Sequence, residues 1–296
     1  MREGPRDLAP SLDIDPLRAG PAPVPAATVV LLRDSARGLE ALLVQRHRAT
    51  AFMGGAHVFP GGKLALEDAS EAVRARCVGP SDETLRHALG PSEEIDAVTA
   101  RALHVAAIRE TFEEAGVLLG TSARARGALD AARARLNAGQ AWDEVLGSLD
   151  ASLALSRLVP LSRWVTPAVE KRRFDARFFL CVVSREESEH ASSEAHETIA
   201  SRWLSPREAI ALHEAASIDL PPPTLRTLEL LTAHRRSEDA VLAARASTPP
   251  LVCPVFHATE AGWILALPGD SMHPDGTPAL GGSTRFVCRD GRWFSS

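Results

Sequence analysis

Residues 109–117 read Arg-Glu-Thr-Phe-Glu-Glu-Ala-Gly-Val, and this stretch constrains the chain more than any other. Glu110, Glu113 and Glu114 stand at i, i+3 and i+4, so a helix through them carries three carboxylates on one face within about a turn. Like charges at that spacing cost a helix roughly a few tenths of a kcal/mol per pair unless something offsets them. A hard divalent cation does so, because Mg²⁺ takes oxygen ligands from carboxylates and from substrate phosphates. A solvated acidic face is the competing reading. Arg109 sits beside the cluster, and Gly116 just after it stops the helix as a C′ glycine. Upstream, Phe59-Pro60-Gly61-Gly62-Lys63 is a strong turn signal followed by Glu67, and its glycines let backbone approach an ion or a phosphate closely.

Around these two marks the chain alternates strands and helices. Residues 27–33 and 40–46 are expected as two strands of a hairpin, joined by the turn-like 34–38. Residues 56–59 form a short strand into the glycine turn, and 68–96 carry only weak helical stretches. A helix is expected from about Glu94 to Val117, with Val98, Ala102, Leu103, Ala106, Ala107 and Ile108 on its apolar side. Two amphipathic helices over 122–137 and 141–155 are read as structural or as a cover over the site. Strands follow at 158–166, 174–183 and 199–204, then a helix from Ser205 to about 216 and a last long helix over 224–245. From Ser247 onward Pro, Gly and short β-prone runs dominate, with strands at 263–267 and 284–288 and a tight turn at 289–292. Fifty residues are marginal for a separate core, so 247–296 is expected as an extension packed on the main domain. Residues 1–25 are read as a disordered tail and 26–246 as the main domain.

Composition excludes several classes. Hydrophobic residues at 45% and charged residues at 24% are ordinary globular values. The net charge of −5 leaves no general basic footprint for nucleic acid, so positive charge for a phosphate substrate must be concentrated locally. Cys77, Cys181, Cys253 and Cys288 are widely spaced, which fits reduced thiols rather than a disulfide framework or a zinc site. No run is apolar enough to span a membrane, and the N-terminal segment lacks the apolar core of a signal peptide; a cytoplasmic location is the expectation.

Taken together, Gly61, Glu67, Arg109, Glu110, Glu113, Glu114, Gly116 and Val117 resemble the Nudix box, G-x5-E-x7-R-E-U-x-E-E-x-G-U with U a bulky aliphatic. Thr111 departs from it where an aliphatic is usual. The spacing departs further: 41 residues separate Glu67 from Arg109 where the pattern has seven. A box interrupted in this way, the runs at 52–62 and 172–180 and the Leu-Pro-Pro-Pro-Thr run at 220–224 resemble the branch of the family that includes a peroxisomal acyl-CoA diphosphatase. The resemblance implies an α+β fold, a Nudix-type α/β/α sandwich with a mixed sheet, a helical insertion over about 68–100 and a small β-rich C-terminal appendage.

It also implies a hydrolase that cleaves the diphosphate of a nucleoside diphosphate derivative, using Mg²⁺ or Mn²⁺. CoA or acyl-CoA is the favoured substrate; NADH, ADP-ribose or another dinucleotide, and a non-catalytic nucleotide-binding module, are the alternatives. By motif position Glu110 and Glu114 are the first metal ligands, Glu113 a third, and the backbone at Gly61 completes the shell. Arg109 orients a carboxylate, Glu67 supports Arg109 or the turn, and Glu110 is one candidate for the general base. Glu194 and Glu197 are further acids outside the box. The run from Leu42 to Gly62 partly resembles a coenzyme A signature, with Val44, Arg46 and His47 in place of two Thr and a small residue, and Ala51 where Arg is expected. Arg46 or Arg48 is expected to supply charge to the CoA 3′-phosphate, and His57 and Gly62 to lie at the substrate. Arg172, Arg173, Asp175 and Arg177 form either a phosphate-facing patch or a salt-bridged sheet surface. No nucleic acid or membrane partner is expected, and a homodimer is left open.

Overall fold

Alternating apolar residues on two long strands set the architecture of the computed structural model, which describes residues 20–47, 53–90, 95–122, 126–191, 198–260 and 262–296. In chain order the strands are β1 (Val24–Ser35), β2 (Gly38–Arg46), β3 (His57–Val58), β4 (Gly61–Lys63), β5 (Cys77–Val78), β6 (Gly120–Thr121), β7 (Ser152–Ala154), β8 (Val159–Val165), β9 (Phe174–Val182), β10 (Thr198–Leu204), β11 (Leu251–Val252), β12 (Val255–Thr259), β13 (Gly262–Ala266), β14 (Arg285–Arg289) and β15 (Arg292–Ser295). The helices are α1 (Glu71–Arg74), α2 (Asp82–Ala88), α3 (Ala97–Ala115), α4 (Arg126–Asn137), α5 (Trp142–Leu149), α6 (Arg185–His190), α7 (Pro206–Glu214), α8 (Pro222–Leu231) and α9 (Ser237–Arg245).

The main sheet runs β10-β2-β1-β9-β8-β11, with β3 on β2 and β4 on β1. It is mixed: β1 with β9 and β8 with β11 are parallel, the other pairs antiparallel. Successive side chains of a strand point to opposite faces, so β1 and β9 serve two cores at once. Ala27, Val29, Leu31, Phe179 and Cys181 pack with Leu103, Ile108 and Phe112 of α3. Val30, Leu32, Phe178 and Leu180 pack with Leu225, Leu228 and Ala240 of α8 and α9 and with Leu265, Phe286 and Trp293 of the C-terminal segment. The fold is therefore the expected α/β/α sandwich.

Several boundaries differ from the sequence expectation for physical reasons. β1 begins at Val24, inside the stretch read as tail, because residues 24 and 25 pair with Phe174 and Asp175 of β9. α3 begins at Ala97, where the Asp96 carboxylate accepts the Thr99 N–H at 2.7 Å and caps the helix. The single helix expected over 224–245 is two, α8 and α9. α9 has no cap of its own; Asp34, 203 residues earlier at the β1–β2 turn, accepts both the N–H and the hydroxyl of Ser237.

The insertion holds α1, β5 and α2, and β5 joins β7 and β6 in a small separate sheet on the α3 side. The C-terminal segment adds β11 to the edge of the main sheet and then forms a four-stranded sheet, β12-β13-β14-β15. Asp290 and Gly291 both have positive φ in the tight β14–β15 turn, as the sequence suggests. Among the described residues no helix is long and apolar enough to cross a membrane. The segment 1–19, Arg48, Glu194 and Glu197 lie outside the described residues.

Candidate functional site

The acidic face of α3 is held in place at both flanks. Gly116 takes φ 71°, the left-handed conformation that ends the helix, and its N–H donates to the Phe112 carbonyl. Arg133 of α4 closes the same end: its guanidinium donates to the carbonyls of Glu113 and Glu114, each at 2.9 Å. A cation on the last carbonyls also offsets the negative end of the helix dipole. Thr111, the departure from the aliphatic pattern, is buried, and its hydroxyl donates to the Ala107 carbonyl at 2.7 Å, so the polar group is satisfied within the helix.

Opposite α3 lies the glycine turn. A Cβ on Gly61 would come within 2.4 Å of the Ala27 carbonyl on β1, so the close pairing of β4 with β1 requires glycine there, and a Cβ on Gly62 would push the Glu110 carboxylate aside. The Gly61 N–H donates to the Glu114 carboxylate at 3.0 Å. Arg109 is buried between the two elements. One nitrogen of its guanidinium donates to Glu110 at 2.9 Å and to Glu113 at 3.1 Å, and another donates to the Lys63 carbonyl at 2.9 Å.

The remaining partner of Arg109 corrects the sequence expectation. It is Asp68, fully buried, that takes Arg109 in a two-pronged contact at 2.8 and 3.0 Å. Asp68 also accepts the Ala65 N–H at 2.8 Å. Glu67, one residue earlier and at the box position, turns the other way and accepts the Trp142 N–H at 3.3 Å, bracing the start of α5. Counting five residues from Gly61 identifies Glu67; only the short 3₁₀ turn over Leu66–Ala69 reveals that its neighbour faces Arg109.

Electrostatics follow from this burial. Removal from water pushes the Glu110 carboxyl up to about 7 against the pull of Arg109, and neighbouring Glu113 adds to the rise. Burial raises Glu113 as well, again opposed by Arg109. For Arg109, burial disfavours the charge, but Asp68, Glu110 and Glu113 outweigh it and hold the guanidinium above its ordinary value. Among the described residues no three His, Cys, Asp or Glu side chains converge closely enough to enclose an ion as they stand. Glu110 and Glu113 are turned onto Arg109, and Glu114 onto the Gly61 N–H. The donor set still suits a hard cation: Glu110 and Glu113 each bond Arg109 through one oxygen, and both residues line the cleft with Glu114.

A cleft of about 810 Å³ opens from this cluster across the sheet, within the size range of small-molecule sites. Glu110, Glu113, Glu114, Gly61, Gly62 and Arg46 all line it, as the sequence anticipates, and Leu136 and Asn137 of α4 close one side. His57 does not line it; this residue is buried beside Gln45 of β2, its backbone N–H donates to the Asp219 carbonyl, and burial lowers its pKa to about 4. Of Arg172, Arg173, Asp175 and Arg177 only Arg172 lines the cleft. Arg173 donates to the carbonyls of Thr166 and Pro21, and Arg177 and Arg163 both hold the buried Asp175. Sequence reading missed Asp68, Lys63 and the apolar end of the cleft, where Trp164, Phe174, Phe178, Pro254 and Leu265 come together.

The chain matches the family model described as the NUDT19 Nudix domain over residues 18–231. It is 30% identical to the acyl-coenzyme A diphosphatase NUDT19 of Gallus gallus, across 80% of this chain and 73% of that one. With the Homo sapiens protein of the same name it shares 27% identity, across 88% and 80% of the two chains. Among solved structures it resembles a NUDIX hydrolase from Alicyclobacillus acidocaldarius at 28% identity and a TM-score of 0.60, covering 77% of this chain and 97% of that one.

Proposed function

The chain belongs to the Nudix family, within the group described by the NUDT19 Nudix domain, and on that premise we propose that this pyrophosphohydrolase cleaves the diphosphate of coenzyme A and its acyl thioesters. The observation that carries the reading is the shape of one cleft. Its acidic end joins Glu110, Glu113 and Glu114 to the Gly61–Gly62 turn, and its other end is apolar, as suits a diphosphate whose arm ends in an acyl chain. Two relatives named for acyl-CoA hydrolysis point to the same substrate.

In this reading Glu110 and Glu114 would hold a divalent cation, Mg²⁺ or Mn²⁺, with Glu113 as a third ligand and the backbone at Gly61 beside them. Such a cation would lower the pKa of a bound water and neutralise charge on the non-bridging oxygens. The water oxygen bonds to one phosphorus, the anhydride P–O bond breaks, and the departing phosphate leaves with the electron pair while the water's proton passes to a base. Glu110 is one candidate base, since its buried carboxyl lies at the cleft, and an acid outside the box is the other. Arg109 orients Glu110 and Glu113, and Asp68 positions Arg109. Arg46, Lys63 and Arg172 supply local cations for phosphates in a chain of net negative charge. The Gly62 backbone meets the substrate, Glu67 braces α5, and the His57 backbone N–H ties β3 to the Asp219 carbonyl. The free thiols of Cys77, Cys181, Cys253 and Cys288 suit a reducing compartment such as the cytoplasm.

Purified protein incubated with CoA, an acyl-CoA, NADH, ADP-ribose and a dinucleotide polyphosphate, each with Mg²⁺ or Mn²⁺, tests the reading. The expected products are 4′-phosphopantetheine, free or acylated, and adenosine 3′,5′-bisphosphate. Glu114→Gln is expected to lower turnover by about a hundredfold or more, several kcal/mol of transition-state stabilisation, with the circular-dichroism spectrum unchanged. Turnover of a dinucleotide without turnover of any CoA species would replace the substrate assignment. Nucleotide binding without hydrolysis of any of the five would replace the catalytic one.

A further inference from the structure

The strand register places a row of residues side by side across four strands: Trp164 on β8, Ala176 on β9, Ala26 on β1 and Lys63 on β4. The next row on the same face runs Phe178, Thr28 and Gly61. Every one of these residues lines the cleft. Ala176 and Ala26, side by side next to Trp164 and one row along from Phe178, make a trough in the sheet surface. The trough begins at the strand that carries the glycine turn and ends under Pro254 and Leu265 of the C-terminal segment.

Its length and chemistry select an occupant. From β4 to β8 is three inter-strand steps, roughly 14 Å. The pantetheine arm of CoA has about as many chain atoms as four extended residues, which also span roughly 14 Å. With the diphosphate at Glu110 and Glu114, an arm laid along the trough delivers its sulfur to Trp164 and Ala176. Whatever is bound to that sulfur then continues beneath Pro254 and Leu265. An adenine finds little to stack on at this end: Trp164 and Phe178 are 4% and 6% exposed, and the half-buried Phe174 ring already has the Lys63 ammonium 6.0 Å from its centroid. An alkyl chain needs only apolar contact, and each buried methylene is worth several-fold in affinity.

Resting on the diphosphatase reading above, we infer that the trough over Ala26 and Ala176 binds the pantetheine arm and that the C-terminal segment roofs an acyl-chain site, making it the part of the molecule that selects acyl-CoA by chain length. The measurement is kcat/KM for free CoA and for acyl-CoAs of increasing chain length, expressed as the ratio of each acyl-CoA to CoA. For the wild-type chain the ratio is expected to rise with length and then level off once the apolar end is filled. Ala176→Phe, which fills the trough under the arm that both substrates share, is expected to lower kcat/KM at least tenfold for CoA and acyl-CoA alike, whereas Leu265→Ala, which removes apolar contact from the roof, is expected to lower the long-chain ratio about threefold or more. Should the Leu265 variant fail to fold, Leu265→Val reads the same ratio with a smaller loss. A wild-type enzyme that hydrolyses CoA with a flat chain-length profile, or a folded Leu265 variant with an unmoved ratio, overturns the acyl site and leaves the diphosphatase reading standing. Absence of turnover on every CoA species removes both.

Discussion

The two ends of the cleft are built in opposite ways. The acidic end comes from two short contiguous stretches, 59–63 and 109–117, whose residue types announce their chemistry. The apolar end is assembled from β1, β8, β9, the Pro221–Pro223 run and the C-terminal segment, whose residue types do not by themselves announce a chemistry, although the runs at 172–180 and 220–224 carry part of the family resemblance. The difference is one of chemical tolerance. Three carboxylates beside one arginine and a bare glycine backbone fit together in few ways, whereas an apolar wall accepts any side chains of suitable volume.

The strongest way to break this comparison lies within the acidic end itself. Asp68→Asn leaves the buried Arg109 without its two-pronged partner, and losing one member of a buried pair costs about 3–5 kcal/mol. Glu67→Gln, at the box position, keeps an acceptor for the Trp142 N–H and is expected to stay within about 1 kcal/mol. Urea denaturation of both variants decides the matter. Equal losses, or a larger loss at Glu67, would return the supporting role to the motif residue.

A second expectation concerns the middle of α3, where the box helix faces the sheet. His104 is buried against Phe179, donates to the Ala100 carbonyl at 2.8 Å, and has its pKa lowered to about 4 by burial. The unfolded chain binds that proton near pH 6.5, so this group stabilises the fold above about 6.5 and the contribution is lost as pH falls toward 4. The loss is on the order of 3 kcal/mol. Replacing His104 with Gln is expected to flatten the acid limb of the stability–pH curve; an unchanged limb would assign acid sensitivity to other groups.

The smallest expected effect lies at the apolar end. Arg292 of β15 donates to the Ile218 carbonyl at 3.0 Å and to His213, which in turn accepts the Leu220 N–H and donates to the Trp293 carbonyl. These bonds tie the C-terminal sheet to the segment that leads into the Pro221–Pro223 wall. Arg292→Ala is expected to cost about 1–3 kcal/mol and to raise KM for long-chain acyl-CoA more than kcat falls. A loss of kcat alone would show that the C-terminal segment acts on the acidic end.

Much of the fold was legible in sequence. The β1–β2 hairpin, the box helix with its Gly116 stop, β8 and β9, the Ser205-Pro206 start of α7 and the tight turn at 289–292 all lie close to where local pattern predicts them. The site was legible wherever a motif residue faces the cleft: Glu110, Glu113, Glu114, Gly61, Gly62 and Arg46. It was not legible at Asp68, where a short 3₁₀ turn shifts the supporting carboxylate by one position, nor at His57, whose place next to the glycine turn suggests substrate contact although the ring packs inward. The division of the last long helix also escaped the sequence, since the carboxylate that caps α9 comes from Asp34 at the far end of the chain.

Local interactions explain what the sequence determined by itself: a run of helix formers ended by a left-handed glycine, three carboxylates one turn apart, and the turn that brings bare backbone against them. Each depends on residues no more than a few positions apart. Tertiary structure alone decided which carboxylate holds Arg109, that Arg133 of α4 closes the box helix, and that two alanines on separate strands meet next to Trp164 to form a trough. Those outcomes depend on register and packing between segments tens to hundreds of residues apart, and the strand register that aligns Trp164, Ala176, Ala26 and Lys63 exists only once the whole sheet has formed.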